Sequence, residues 1–204
     1  MATDATAGSR DAGGDGRKAG IVLAAATVAM GLIAGLYYGW AVSVMPGLAG
    51  LDDRAFVGAM QQLDGAIRNP LFFATFLGAL VLTGAAVHLQ RRLGLRQATP
   101  WILAALILYG LGFLTTMAIN EPLNIALVNA GDPSRIADPA GVRDAFEDTW
   151  VVWHIVRTVL STASVGCLAY ALLLHGRAER EPAQRKAGVG EPAARRRGGV
   201  APAR

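Results

Sequence analysis

Four stretches of the chain are long enough and apolar enough to cross a bilayer, and nothing else in the sequence limits the fold so sharply. A hydrocarbon core about 30 Å thick needs roughly 20 mainly apolar residues in helix. The stretches run from about Gly20 to Met45, Leu71 to Leu89, Trp101 to Ile119 and Trp150 to Leu174. Each must be helical, because lipid offers no partner for backbone N–H and C=O groups. The expectation is therefore an all-α, integral membrane four-helix bundle over residues 19–176. Composition agrees: 53% of the 204 residues are hydrophobic and only 17% charged, against about 25% charged in a soluble domain. Arg17 and Lys18 precede the first stretch, as in a signal peptide. Its apolar run exceeds the roughly 7–15 residues of a signal core and no clean A-x-A site follows, so it reads as an anchor.

Charge location sets the orientation. The N-terminal segment carries Arg10, Arg17 and Lys18, the loop between spans two and three carries Arg91, Arg92 and Arg96, and residues 177–204 hold eight Lys and Arg. The other two loops offer Arg54, Arg68, Arg135 and Arg143 against nine acidic residues. The positive-inside rule then places both termini in the cytoplasm, in what the Ala-, Gly- and Arg-rich composition suggests is a bacterial inner membrane. The formal charge of +4 is thus a topology signal rather than a nucleic-acid footprint. Arg195, Arg196 and Arg197 read as a solvated run drawn to anionic lipid. Residues 1–18 and 177–204 are expected to be disordered, having almost no large apolar side chains to offset ordering entropy.

The outer loops carry more structure. Asp52 or Asp53 can cap a helix in which Phe56, Met60, Leu63 and Ile67 recur at helical spacing. This amphipathic segment is expected on the outer membrane surface or over the bundle mouth. Asn69-Pro70 ends it and starts span two. Asp138-Pro139 starts a helix ahead of span four, whose first turns, with Arg143 and Glu147 four apart, are expected in water. Gly31, Gly35 and Gly39 recur every four residues, a face suited to a second copy or a partner helix.

Polar residues gather at the outer ends of spans three and four. Asn120 and Asn124 share a helix face and bracket Glu121 and Pro122, and Pro122 predicts an end or a kink there. Trp150, His154, Arg157, Ser161 and Ser164 form one stripe of span four, with Trp153 beside it, and Arg157 stands roughly 10 Å along the axis from Trp150. An arginine there needs an interior partner, and Glu121 is the expected one. Two roles stay open. The cluster can pin span three to span four, with the tryptophans as an aromatic belt. It can instead line a pocket in which His154 or Glu121 is a base and Arg157 with the asparagines stabilises an oxyanion.

The order of these pieces resembles the anthrone oxygenase-like family of small four-helix membrane proteins. Met45-Pro46-Gly47-Leu48, Phe56 to Gln61, and Arg68-Asn69-Pro70-Leu71-Phe72 stand in the family's order. Asn120-Glu121-Pro122-Leu123-Asn124 is similar to its N-x-P-x-N element, and Trp150 to Arg157 to its W-x-x-W-N-x-x-R element. The likeness covers roughly residues 20–175. It departs at Glu121, where the family has an apolar residue, and at His154, where it has asparagine. The resemblance implies oxidation of an anthrone, a flat tricyclic phenolic ketone, to an anthraquinone by O2 without a cofactor. It implies His154 as base, Arg157, Asn120 and Asn124 as oxyanion donors, and Trp150 or Trp153 stacked on the rings.

Other classes have less behind them. A non-enzymatic membrane scaffold or accessory protein is the alternative, with the glycine face as its contact. His88 and His175 lie near the cytoplasmic ends of spans two and four but look interfacial, a poor start for a bis-His haem. No inverted repeat suggests a transporter. No Cys/His spacing suggests zinc, no phosphate-binding glycine motif appears, and the single Cys167 permits no intramolecular disulfide.

Overall fold

The computed structural model describes the backbone of residues 4–189 and the side chains of residues 14–180. Among them four helices are long and apolar enough to cross a membrane: Gly14–Ala49, Pro70–Arg92, Thr99–Asn129 and Pro139–Arg180. In finer detail these and their connections comprise α1 (Asp4–Gly39), α2 (Met45–Ala49), α3 (Asp53–Ile67) and α4 (Pro70–Arg92), followed by α5 (Thr99–Thr115), α6 (Glu121–Asn129) and α7 (Pro139–Val189). Helices α1 and α7 run into the segments assigned to the tails, as far as Asp4 and Val189. The remaining tail positions, Arg195 to Arg197 included, lie outside the described residues.

The spanning helices close a ring in chain order: α1 packs on α4 and α7, and α5 packs on α4 and α7. Lipid tails are as apolar as leucine, so such a bundle is held by close packing and interhelical hydrogen bonds rather than by escape from water. The buried small residues that allow close approach are Ala19, Ala26, Ala79, Ala86, Ala105 and Ala171. Gly31, Gly35 and Gly39 are not among them, and a methyl group added to any of the three would meet nothing within 4 Å. That face turns outward, beside exposed Val28, Leu32 and Val42. Tyr109 ties α5 to α4 by donating to the Phe76 carbonyl (2.9 Å), and Ser164 ties α7 to α5 through the Ala105 carbonyl (3.2 Å).

Helix α3 lies over the mouth of the ring. Its Asp52 cap accepts from the Ala55 N–H (3.0 Å), and Phe56, Val57 and Met60 are buried in a second apolar cluster with Leu127, Phe146 and Trp150. Gln61 donates to the Leu127 and Gly131 carbonyls (2.8 and 3.0 Å), occupying acceptors left free at the end of α6. Arg54 reaches the Pro133 and Ile136 carbonyls. Arg143 stands in this cluster rather than in water. It donates to the carbonyls of Ala49 and Leu51 (3.1 and 2.9 Å), to Glu147 and to Asp53, and lies over the Phe56 ring. The sequence spacing predicted the Glu147 pair; the end of α2 supplied partners no local pattern could reveal.

Two turns depart from α geometry. Residues Trp40–Val44 and Thr116–Asn120 form π-turns, in which the N–H of Met45 reaches the Trp40 carbonyl and that of Glu121 reaches the Thr116 carbonyl. Pro46 and Pro122 follow each turn two residues later. Proline has no N–H and its ring crowds the carbonyl four residues back, so a wider turn relieves both at once. The chain therefore does not end its helix at Pro122: Glu121 keeps helical angles (φ −68°, ψ −45°), α6 carries the helix on, and the irregularity expected there takes the form of the π-turn.

Candidate functional site

A pocket with about 220 Å³ of accessible space lies where α3 meets the end of the ring that it covers. One water needs ~10–15 Å³ on this measure, so the space suits a multi-ring molecule. Its walls come from every side. Helix α1 and the first π-turn give Tyr37 and Trp40; α3 and its end give Met60, Asp64, Ile67 and Arg68; α4 gives Phe72, Phe73 and Phe76. The second π-turn gives Thr116 and Met117, α6 gives Glu121 and Asn124, and α7 gives Trp150, His154 and Arg157.

Arg157 is 7% exposed and has no carboxylate within ion-pair distance among the described residues. Its Nε and Nη2 donate to His154 Nδ1 (3.1 and 2.9 Å), and Nη1 donates to the Thr116 hydroxyl (3.3 Å). The guanidinium carbon lies 4.6 Å from the centre of the Tyr37 ring and 5.1 Å from that of Trp150. The charge is thus held by neutral acceptors and ring faces. His154 is fixed at both nitrogens. A carbonyl only accepts, so its 2.9 Å bond to the Tyr37 carbonyl puts the proton on Nε2 and leaves Nδ1 as the acceptor for Arg157.

Trp150 sits in a ladder at four-residue spacing, stacked on His154 (4.7 Å between centroids) and on Phe146 (5.8 Å). With both faces taken, it offers the pocket an edge and not the stacking platform expected of it. Its Nε1 donates to Asn124 Oδ1 (2.8 Å) and its carbonyl accepts from Asn120 Nδ2 (3.2 Å). Asn120 is buried behind the pocket and positions α7; Asn124 lines the pocket with its Nδ2 free of partners among the described residues. Trp153 is 37% exposed and lies off the pocket. One residue is about 100° of helix rotation, so the helix that turns His154 inward turns its neighbour Trp153 out.

Glu121 does not pair with Arg157. Its Oε1 accepts from Arg68 Nη1 at 2.7 Å, while the buried Asp64 takes Arg68 Nε and Nη2 at 2.9 and 3.2 Å. The hydrogen bonds it donates to Asp64 and then to Glu121 hold the Arg68 guanidinium above its usual pKa. Asp64 and Arg68, four apart across the end of α3, are a signal that sequence reading could have found. Tyr37, Trp40 and the α4 phenylalanines carry no such signal, because one aromatic in an apolar span looks like any other. His88 is exposed while His175 is buried against Gln90 (2.9 Å), so they form no facing pair.

Residues 69–167 match the model of a family described as anthrone oxygenase. The chain carries an anthrone oxygenase-like domain. No curated protein and no solved structure matches the chain. The anthrone oxygenase-like span takes in α4, α5, α6 and α7 as far as Cys167, and with them Asn124, Trp150, His154 and Arg157. Tyr37, Trp40, Asp64 and Arg68 reach the same pocket from outside it.

Proposed function

We propose that this protein is a membrane-embedded, cofactor-independent oxygenase that converts a polycyclic phenolic ketone of the anthrone type to its quinone with O2. The observation that carries the reading is Arg157, a buried cation without a carboxylate partner, facing an apolar, aromatic-walled pocket. Such a group favours an occupant that is flat, apolar and able to bear negative charge on oxygen. Loss of a benzylic proton from an anthrone gives a delocalised enolate. That anion reduces O2 and becomes a carbon-bound hydroperoxide, which loses water to leave the second carbonyl. One CH2 becomes C=O, and one O2 yields that oxygen and one water.

Arg157 and the Asn124 amide hold the enolate oxygen, a preorganised pair of donors in a site poor in water. The base is Glu121, because its Oε1 is anchored by Arg68 while its Oε2 has no partner among the described residues. His154, with both ring nitrogens engaged, positions Arg157 instead of taking the proton. Met60, Ile67, Phe72, Phe73 and Met117 supply the apolar surface for the rings.

The scaffold reading keeps one specific support: Asn120 and His154 tie α1, the second π-turn and α7 together by polar bonds. The two readings part on a single assay. Protein purified in mild detergent is supplied with an anthrone, and quinone formation and O2 uptake are followed beside Arg157→Ala. Anthrones oxidise spontaneously, so the difference between the two proteins is the result. Removing an oxyanion donor costs about 10²–10³ in turnover, so the variant falls to background. Equal rates from two folded proteins would leave the cluster as a structural tie.

A further inference from the structure

The two ends of the bundle use their arginines differently. Around α3, Arg54, Arg68, Arg143 and Arg157 each donate to acceptors within the protein. At the far end of α4, Arg91, Arg92 and Arg96 have no carboxylate within ion-pair distance among the described residues. Nor are their side chains needed to close that helix. The Gly94 N–H reaches the Arg91 carbonyl and the Leu95 N–H reaches the Gln90 carbonyl, both at 3.1 Å. Such a nested pair satisfies the end of a helix with backbone alone. Gly94 permits it with a φ of 68°, a conformation that glycine adopts at little cost.

Beyond that turn, the end of α4 and the start of α5 enclose an open cleft of about 530 Å³. Arg91 and Arg96 line it together with Pro100 and Leu103. The neutral polar side chains of the cleft are already engaged. Gln90 is buried and bonded to His175 Nδ1 at 2.9 Å, and the Thr99 hydroxyl donates to the Leu95 carbonyl at 2.9 Å. What the cleft offers an occupant is therefore two guanidiniums beside an apolar wall. Trp101, next to Pro100, meets Tyr170 edge-on at 4.7 Å between ring centres, and the two are 43% and 42% exposed. Exposed Trp and Tyr on spanning helices mark the headgroup level of a bilayer.

We propose that this cleft is a binding site for an anionic glycerophospholipid. Arg91 and Arg96 hold the headgroup phosphate, and Pro100 and Leu103 lie against the glycerol and the first methylenes. A guanidinium presents a planar fork of donors that matches phosphate, and basic pockets between spanning helices suit anionic headgroups. A zwitterionic lipid would fit the wall but bring its own cation to the arginines. A free anion would use the arginines and leave the wall in water. The site is separate from the pocket beneath α3 and does not depend on what that pocket binds.

The test counts lipids on full-length protein released from detergent micelles by native mass spectrometry. The probes are dioleoylphosphatidylglycerol and dioleoylphosphatidylcholine. One phosphatidylglycerol is expected to bind about 10- to 30-fold more tightly than phosphatidylcholine, the attraction of two interfacial arginines. Arg91→Gln with Arg96→Gln should abolish that preference. Arg92→Gln with Arg177→Gln removes the same charge from the same end without touching the cleft, and should keep it. Excess inorganic phosphate, compared with chloride at equal ionic strength, should leave the lipid in place. Phosphatidylglycerol should also raise the thermal midpoint of the native protein above its value in phosphatidylcholine, and fail to do so for the cleft variant. Equal binding of the two lipids, a preference that survives loss of Arg91 and Arg96, or an equal loss in the control variant overturns the site. Displacement by phosphate would make it a site for a free anion and overturn the lipid assignment.

Discussion

Arg157 and His154 share one hydrogen-bonded unit, and the chemistry of the pair turns on which of them is replaceable. His154 donates a hydrogen bond to the Tyr37 carbonyl and accepts two from Arg157. An asparagine, the residue that the family resemblance puts there, also has one donor group and one acceptor. His154→Asn is therefore expected to keep a substantial part of the anthrone turnover, and His154→Ala to lose most of it, by about tenfold or more, because Arg157 is then unheld. Parallel O2-uptake assays decide it, and equal inactivity of the two variants would return the proton-transfer role to His154. Glu121→Gln, by contrast, keeps size and polarity while removing the free carboxylate oxygen, and turnover should drop by about 10²-fold or more. The stripe Trp150, His154, Arg157 was legible in the sequence because four- and seven-residue spacings fall on one helix face. The partners were not: Arg68 and Glu121 are 53 positions apart, and only the fold brings an arginine closer to Glu121 than Arg157 is.

At the scale of elements, α3 and the π-turns shape the pocket. The cap at Asp52, the apolar repeat of α3 and the start at Asn69-Pro70 could all be read from local pattern, and each stands as read. The π-turns could not, since proline in a helix signals trouble without saying how the backbone resolves it. Each adds one residue to its turn, which rotates everything beyond it by about 100° relative to an unbroken α-helix. Pro122→Ala removes the reason for the wider turn. Glu121 and Asn124 are then expected to swing from the pocket, with turnover lost and the far-ultraviolet circular dichroism unchanged. Arg68 closes the same wall. Its pKa is raised by Asp64 and Glu121, so what it adds to stability is present below its unfolded pKa and is lost only as pH rises through the still higher folded value. Across the neutral range the wall stays charged, and Arg68→Ala, not alkali, is the way to loosen it. The variant should give a neutral-pH thermal midpoint that is lower by a few degrees, as expected for losing one partly buried ion pair.

On the whole-molecule scale, the four-helix bundle followed from hydropathy, because spans must be helical; the ring order in which the helices pack did not. Orientation rests on the arginines. We propose that both termini are cytoplasmic; a cysteine at Asp132→Cys should then react with a membrane-impermeant maleimide applied to intact cells from outside, once Cys167 has been replaced by alanine. Labelling only after the membrane is broken would reverse the topology and move the pocket to the other face. The outward glycines make a separate case. A Cβ added at Gly35 meets no atom within 4 Å and the face turns outward, so the Gly35→Leu monomer should fold unchanged, and any shift in its size in detergent would report a second copy on that face. The pocket, finally, is assembled across a boundary in the chain. The residues proposed to handle the enolate lie within 69–167, while Tyr37, Trp40, Asp64 and Arg68 lie before it. The wall for the rings draws on both stretches, Met60 and Ile67 before residue 69 and Phe72, Phe73 and Met117 after it. Changes at Met60 and Ile67 can therefore reshape what the pocket admits without touching any residue proposed to handle the enolate.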